Sequence, residues 1–176
     1  MVIITIETTP IVLSPESRSS PALGTETRRG GSSNHFGGLD MAFSYDPKKL
    51  WQPFGPFSMA VVQGDGRIVH LKGQVPLDEH GELVGQSDIR AQLRQVLENL
   101  TVVLDEVGGK LSDVISLIQY TTDIKAFIAA SDIRRAYFGK PYPVTSTIQV
   151  SALYRPEVLV EIAGIAEIPG HRFRMP

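Results

Sequence analysis

Apolar and polar positions alternate from Val144 to Ser151, with Val144, Ile148 and Val150 on one side and Thr145, Thr147 and Gln149 on the other. That is the period of two a strand requires. After a break at Tyr154-Arg155-Pro156, a second run from Val158 to Ile168 predicts another strand, and the two together predict a hairpin over Tyr142 to Pro169. In the second run Glu161 shares a pleat face with Leu159, Ala163 and Ile165, so a carboxylate sits among apolar neighbours. A buried acid is costly unless it holds a proton, finds a donor or borders a cleft that uses it.

Upstream, Ser58 to Gln63 and Arg67 to Leu71 are short apolar runs around Gly64-Asp65-Gly66, a pattern that predicts an antiparallel hairpin. A helix follows, capped by Ser87, with Ile89, Leu93, Val96, Leu97, Leu100, Val103, Leu104 and Val107 forming one stripe before Gly108-Gly109 stops it. Asp113 to Thr121 predicts a strand with Ile115 and Leu117 on one side, Val114, Ile118 and Tyr120 on the other, and both sides buried. A second helix is expected from about Ala126 to Phe138, with Ala130, Ile133 and Tyr137 inward, Arg134 and Arg135 on a solvated face, and Gly139 and Pro141 ending it. The order predicts an α+β two-layer sandwich, two helices on one face of a mixed sheet of five or six strands. Two helices cover one face only. The apolar second face therefore calls for another copy of the chain, a homo-oligomer.

Composition narrows the rest. From Ser14 to Gly38 the chain is rich in Ser, Gly, Thr and Arg and nearly free of apolar residues, so residues 1–40 read as a flexible leader, with a stray strand at Val2 to Ile6. Residues 41–169 then form one domain and 170–176 a short C-terminal tail. At 176 residues, 42% apolar and 20% charged with a formal charge of -2, the chain has the balance of a globular protein and no basic footprint for nucleic acid. It contains no cysteine, which excludes a disulfide framework and a thiolate nucleophile, and no apolar run approaches the roughly 20 residues of a membrane span. The cytoplasm is the expected compartment. His35, His70, His80 and His171 lack ligand spacing, so no metal is assigned. Gly64-Asp65-Gly66 lacks the Lys-Ser/Thr of a phosphate cradle, and Trp51 beside Pro53 pins the leading segment.

LKGQVP at Leu71 to Pro76, the helix ending in Gly108-Gly109, the segment DVISLIQYTTDIKAF and the VEIAGIA strand occur in an order and spacing that resemble the RidA/YjgF family of enamine/imine deaminases, over roughly residues 50–168. The resemblance implies a chorismate-mutase-like fold, a homotrimer with a cleft at each subunit boundary, and cofactor-free hydrolysis of small reactive enamines or imines to carbonyl compounds and ammonia. It matches Glu161 to the acid that positions the hydrolytic water, and Gly73 with the Gln74 segment to the strand end lining the cleft. Three positions depart from the active members. Thr145 stands where they carry a carboxylate-clamping arginine, Phe57 where they often have tyrosine, and Ser131 where they often have asparagine. These changes imply a substrate other than the usual iminopropionate. Lys72, where a small hydroxyl residue is common, is expected to replace the missing cation.

The expected function is hydrolytic deamination with Glu161 holding water, and Lys72, Gly73, Thr145, Phe57 and Ser131 lining the substrate. The alternative is a catalytically silent member that binds a metabolite or a protein partner at the same clefts. Endoribonuclease activity, credited to some relatives, is disfavoured by the acidic net charge.

Overall fold

A computed structural model describes residues 41–176; the expected leader and its strand at Val2 to Ile6 lie outside the described residues. The elements run β1 (Phe43–Tyr45), β2 (Ala60–Val62), β3 (Arg67–Gln74), α1 (Ile89–Glu106), a 3-10 turn (Leu111–Asp113), β4 (Val114–Thr121), α2 (Ile124–Ala129), α3 (Ser131–Phe138), β5 (Val144–Gln149) and β6 (Val160–Ile168). The main sheet has the order β3-β6-β4-β5, mixed because β4 and β5 are parallel, and β1 with β2 forms a separate two-stranded ribbon. A single parallel bridge from Ser58 to Val144 ties the ribbon's neighbourhood to the β5 edge. The six strands are thus split four and two.

α1 is the helix that the apolar spacing requires. Leu93, Val96, Leu97, Leu100 and Leu104 are fully buried against the sheet, while Val103, at the margin of the stripe, stays exposed. The cap is Asp88 and not Ser87: Ser87 takes a positive φ of 60°, and Asp88, extended, accepts from the backbone N–H of Arg90 and Ala91 at 2.9 and 3.2 Å. The chain turns one residue later than expected, where a side-chain oxygen can reach the orphan amides.

Both predicted hairpins are absent. β3 pairs with β6, because the amides of Gly64 and Gly66 donate to the Glu167 carboxylate on β6 at 2.8 and 2.9 Å, which anchors the Gly-Asp-Gly turn beside that strand and leaves β2 to pair with β1. β5 and β6 are separated by β4, which pairs with both. Ten residues between them give the chain room to cross over, and local alternation does not tell a neighbour from a next neighbour.

The expected second helix is two helices, α2 and α3, broken at Ala130 and starting earlier, where Asp123 accepts from the Ala126 N–H at 3.0 Å. β4 is buried on one side only. A bulge between Val114 and Ser116 brings Val114 and Leu117 to the helix side with Gln119 and Thr121, while Ile118 on the other side is 40% exposed. That open side also carries Tyr120, Ile148, Glu161, Ala163 and Ile165.

One polar residue stands inside the α1 core. Gln92 is fully buried; its amide donates to the carbonyls of Gly85 and Glu157 at 3.1 and 2.8 Å and its oxygen accepts from the Leu159 N–H at 2.7 Å. It holds the approach to α1 and the entry to β6 together. Gln92→Leu leaves three part-buried backbone groups without their partner, and a loss of about 2 kcal/mol in folding stability, read by urea denaturation, is expected.

Candidate active site

The register of the main sheet decides which side chains can meet. Leu117 on β4 lies opposite Thr145 on β5 and Gly164 on β6, and Leu117 is buried under the helices, so Thr145 points to the helix side. Tyr120 lies opposite Ile148 and Glu161, one residue out of phase, so Glu161 belongs to the open side. The predicted site residues accordingly fall into two groups.

The first group lines a cleft of about 310 Å³ at the β5 edge, between that strand, α2, α3 and the segment before β2. Phe57, Ser131 and Thr145 all border it, together with Gln119 and Thr147. Phe57 packs edge-on against Phe54 and Trp51, with ring centroids 5.5 and 6.0 Å away, so its ring is one wall in an aromatic cluster. Thr145 donates to the Pro143 carbonyl at 3.4 Å, and Thr147 donates to Gln119 Oε1, also at 3.4 Å.

The second group lies on β3 and β6. β3 bulges between Leu71 and Gln74, and there Gly73 faces Glu161 so closely that a Cβ on Gly73 would fall on the carboxylate. The approach favours glycine at Gly73, since a Cβ would push the Glu161 side chain aside. Glu161 is half-buried, and among the described residues its carboxylate has no hydrogen-bond or ion-pair partner inside the chain. Lys72 is exposed; its ammonium donates to the Gly73 carbonyl at 3.0 Å and forms no ion pair with Glu161. Among the described residues no cluster of His, Asp and Glu is built to hold a metal, and no helix is long and apolar enough to cross a membrane.

The endoribonuclease L-PSP family model matches residues 48–168. The chain belongs to this RidA/YjgF family. Among its RidA/YjgF relatives, the 3-aminoacrylate deaminase RutC of Acinetobacter baylyi is 33% identical over 122 residues, 69% of this chain and 94% of its own length. A 2-iminobutanoate/2-iminopropanoate deaminase of Dermatophagoides farinae is 32% identical over 117 residues, 66% of this chain and 89% of its own. A solved Rid family protein of Yersinia pestis superposes with a TM-score of 0.67 at 38% identity, covering 72% of this chain and 98% of its own. The α+β sandwich of the RidA/YjgF family is therefore the fold of this chain.

One cleft residue differs from expectation. Arg134, expected on a solvated face, is only 7% exposed; its guanidinium stacks 4.1 Å over the Phe127 ring and donates to the Phe127 carbonyl at 3.0 Å. Arg135 is exposed and borders the cleft beside it. The signal was present in the spacing, since Arg134 follows Phe127 by seven and Ala130 by four and so belongs to their stripe. Arginine is ordinarily solvated, so the spacing alone does not announce its burial.

Gly73→Ala tests the close approach. The clash is with the end of a flexible side chain, so stability should change by no more than about 1 kcal/mol, while a crystal structure of the variant should show the Glu161 carboxylate displaced from its place over β3.

Proposed function

We propose that the protein hydrolyses small enamines or imines to carbonyl compounds and ammonia, with Glu161 holding and activating the water. The observation that carries this reading is the Glu161 carboxylate seated over Gly73, accessible and unengaged inside its own chain. The deaminases among the relatives support the same chemistry for this chain.

One copy does not bring Glu161 to the Thr145 cleft: they lie on opposite sides of the sheet with β4 between their strands. A complete site therefore needs the Glu161 side of one copy against the β5 edge of another. The open side, with Ile118, Ile148 and Ile165 on it, supplies an apolar surface for such an assembly, and three copies around an axis, as expected for the family, would make three equivalent sites.

In the reaction, water bound by Glu161 adds to the imine carbon. The carboxylate takes a proton from the water as its oxygen bonds to carbon and the C–N π electrons move to nitrogen, and Glu161 passes that proton to the nitrogen to give the carbinolamine. Glu161 then takes the carbinolamine hydroxyl proton as C=O forms and the C–N bond breaks, and delivers it to the departing amine, which leaves as ammonia. An enamine first tautomerises to the imine. Such substrates hydrolyse slowly in water unaided, so holding the nucleophile near the carbon supplies much of the effect.

Two measurements test this. Ammonia release from imines generated by an amino-acid oxidase should fall about 100-fold in Glu161→Gln. No release from neutral, acidic or aromatic imino acids with assembled wild-type protein would favour the silent, metabolite-binding reading, which the uncharged Thr145 also fits. Co-refolding Glu161→Gln with Thr145→Trp, each inactive alone, should restore activity at about a quarter of the sites if each site draws on two copies; no restoration would remove the shared site.

A further inference from the structure

The 310 Å³ cleft contains a buried cation without a carboxylate. Arg134 forms no ion pair among the described residues, and of its five N–H donors only one has a protein acceptor, the Phe127 carbonyl. No side-chain nitrogen there is both sealed from solvent and unsatisfied, so the remaining donors open into the space that Arg134 lines. The carboxylate next in the chain is already committed: Asp132 takes both guanidinium nitrogens of Arg90, at 3.0 and 2.6 Å, and that pairing holds its carboxyl down at about 2. Burial first, and Arg135 second, draw Arg134 down to about 10, still charged at neutral pH and a measure of how poorly this charge is solvated.

Two adjacent guanidinium groups in a partly enclosed space attract an anion, and stacking on Phe127 pre-orients the planar fork for a bidentate partner. Phe54, Phe57, Ile124 and Ile128 make the rest of the wall largely apolar, with the hydroxyls of Ser131 and Thr145 between them. We propose that Arg134 and Arg135 form an anion subsite that takes the carboxylate of a 2-imino acid bearing a branched or aromatic side chain, the side chain lying against the Phe and Ile wall. The identity of the ligand as an imino acid rests on the deaminase reading above; the subsite does not. It places the cation of the cleft on α3 and not at Lys72, which lies beside Glu161 on β3.

The probe is 4-methyl-2-oxopentanoate, the product expected from the leucine-derived imine, compared with its methyl ester by titration calorimetry. Wild-type protein should bind the acid at least about tenfold more tightly than the ester. Arg135→Gln, at an exposed position, should erase that preference, Arg135→Lys should keep part of it, and Lys72→Ala should leave it intact. In turnover of the leucine-derived imine, Arg135→Gln should raise KM about tenfold with little change in kcat, the pattern of lost uniform binding. Arg134→Lys, with folding verified by circular dichroism, should weaken the acid similarly. Equal binding of acid and ester, a preference that survives Arg135→Gln, or one that disappears in Lys72→Ala would each overturn the proposal. An acid preference that needs Arg135, with no ammonia released from any imine, would sink the hydrolysis and keep the subsite. Turnover and acid binding both indifferent to Arg135→Gln would do the reverse.

Discussion

Strand alternation, carried in register across β6, β4 and β5, is the constraint from which the site follows. Because Leu117 faces both Thr145 and Gly164 while Tyr120 faces both Ile148 and Glu161, the two halves of the predicted site cannot lie on one surface of one chain. A one-residue slip of β6 would invert this, and it would also turn the buried Val160, Ile162 and Ala166 out to solvent. Core burial and site geometry are thus locked to the same register. That lock makes a second copy a chemical requirement of the proposed mechanism and not merely a cover for apolar surface.

Irregular segments are held by polar side chains placed among apolar ones. Gln92 joins the approach to α1 to the chain entering β6, and Glu167, 4% exposed, gathers the amides of Gly64 and Gly66. Each substitutes for a backbone partner where no strand or helix is available to provide one. The bulge at Lys72-Gly73 belongs to the same economy of backbone: it offsets β3 just where the Glu161 side chain needs room. Site and scaffold are in this sense one set of contacts.

The cleft carries its positive charge on one side and a hydroxyl on the other. Thr145 brings a hydroxyl to the strand edge, and positive charge enters from α3, where Arg134 is stacked, buried and only partly satisfied. A guanidinium on a helix approaches a ligand from another direction than one on the facing strand.

Much of this was legible in the chain itself. The α1 stripe, the strands around Val144 and Glu161 and the α+β class all follow from spacing and from the family motifs, because periodicity reports a local geometry that each segment adopts wherever it is placed. Partner choice does not: β3 with β6, and β5 beside β4, depend on which distant edges meet, and Glu167 and the crossover after β5 settle that in three dimensions. The break at Ala130 and the burial of Arg134 escaped for the same reason, since a stripe shows which residues share a side but not that an aromatic ring waits there to receive a cation. Sequence determined the elements and the chemistry they carry; only tertiary structure decided which side of the sheet each group faces, because that choice is made by contacts between residues far apart along the chain.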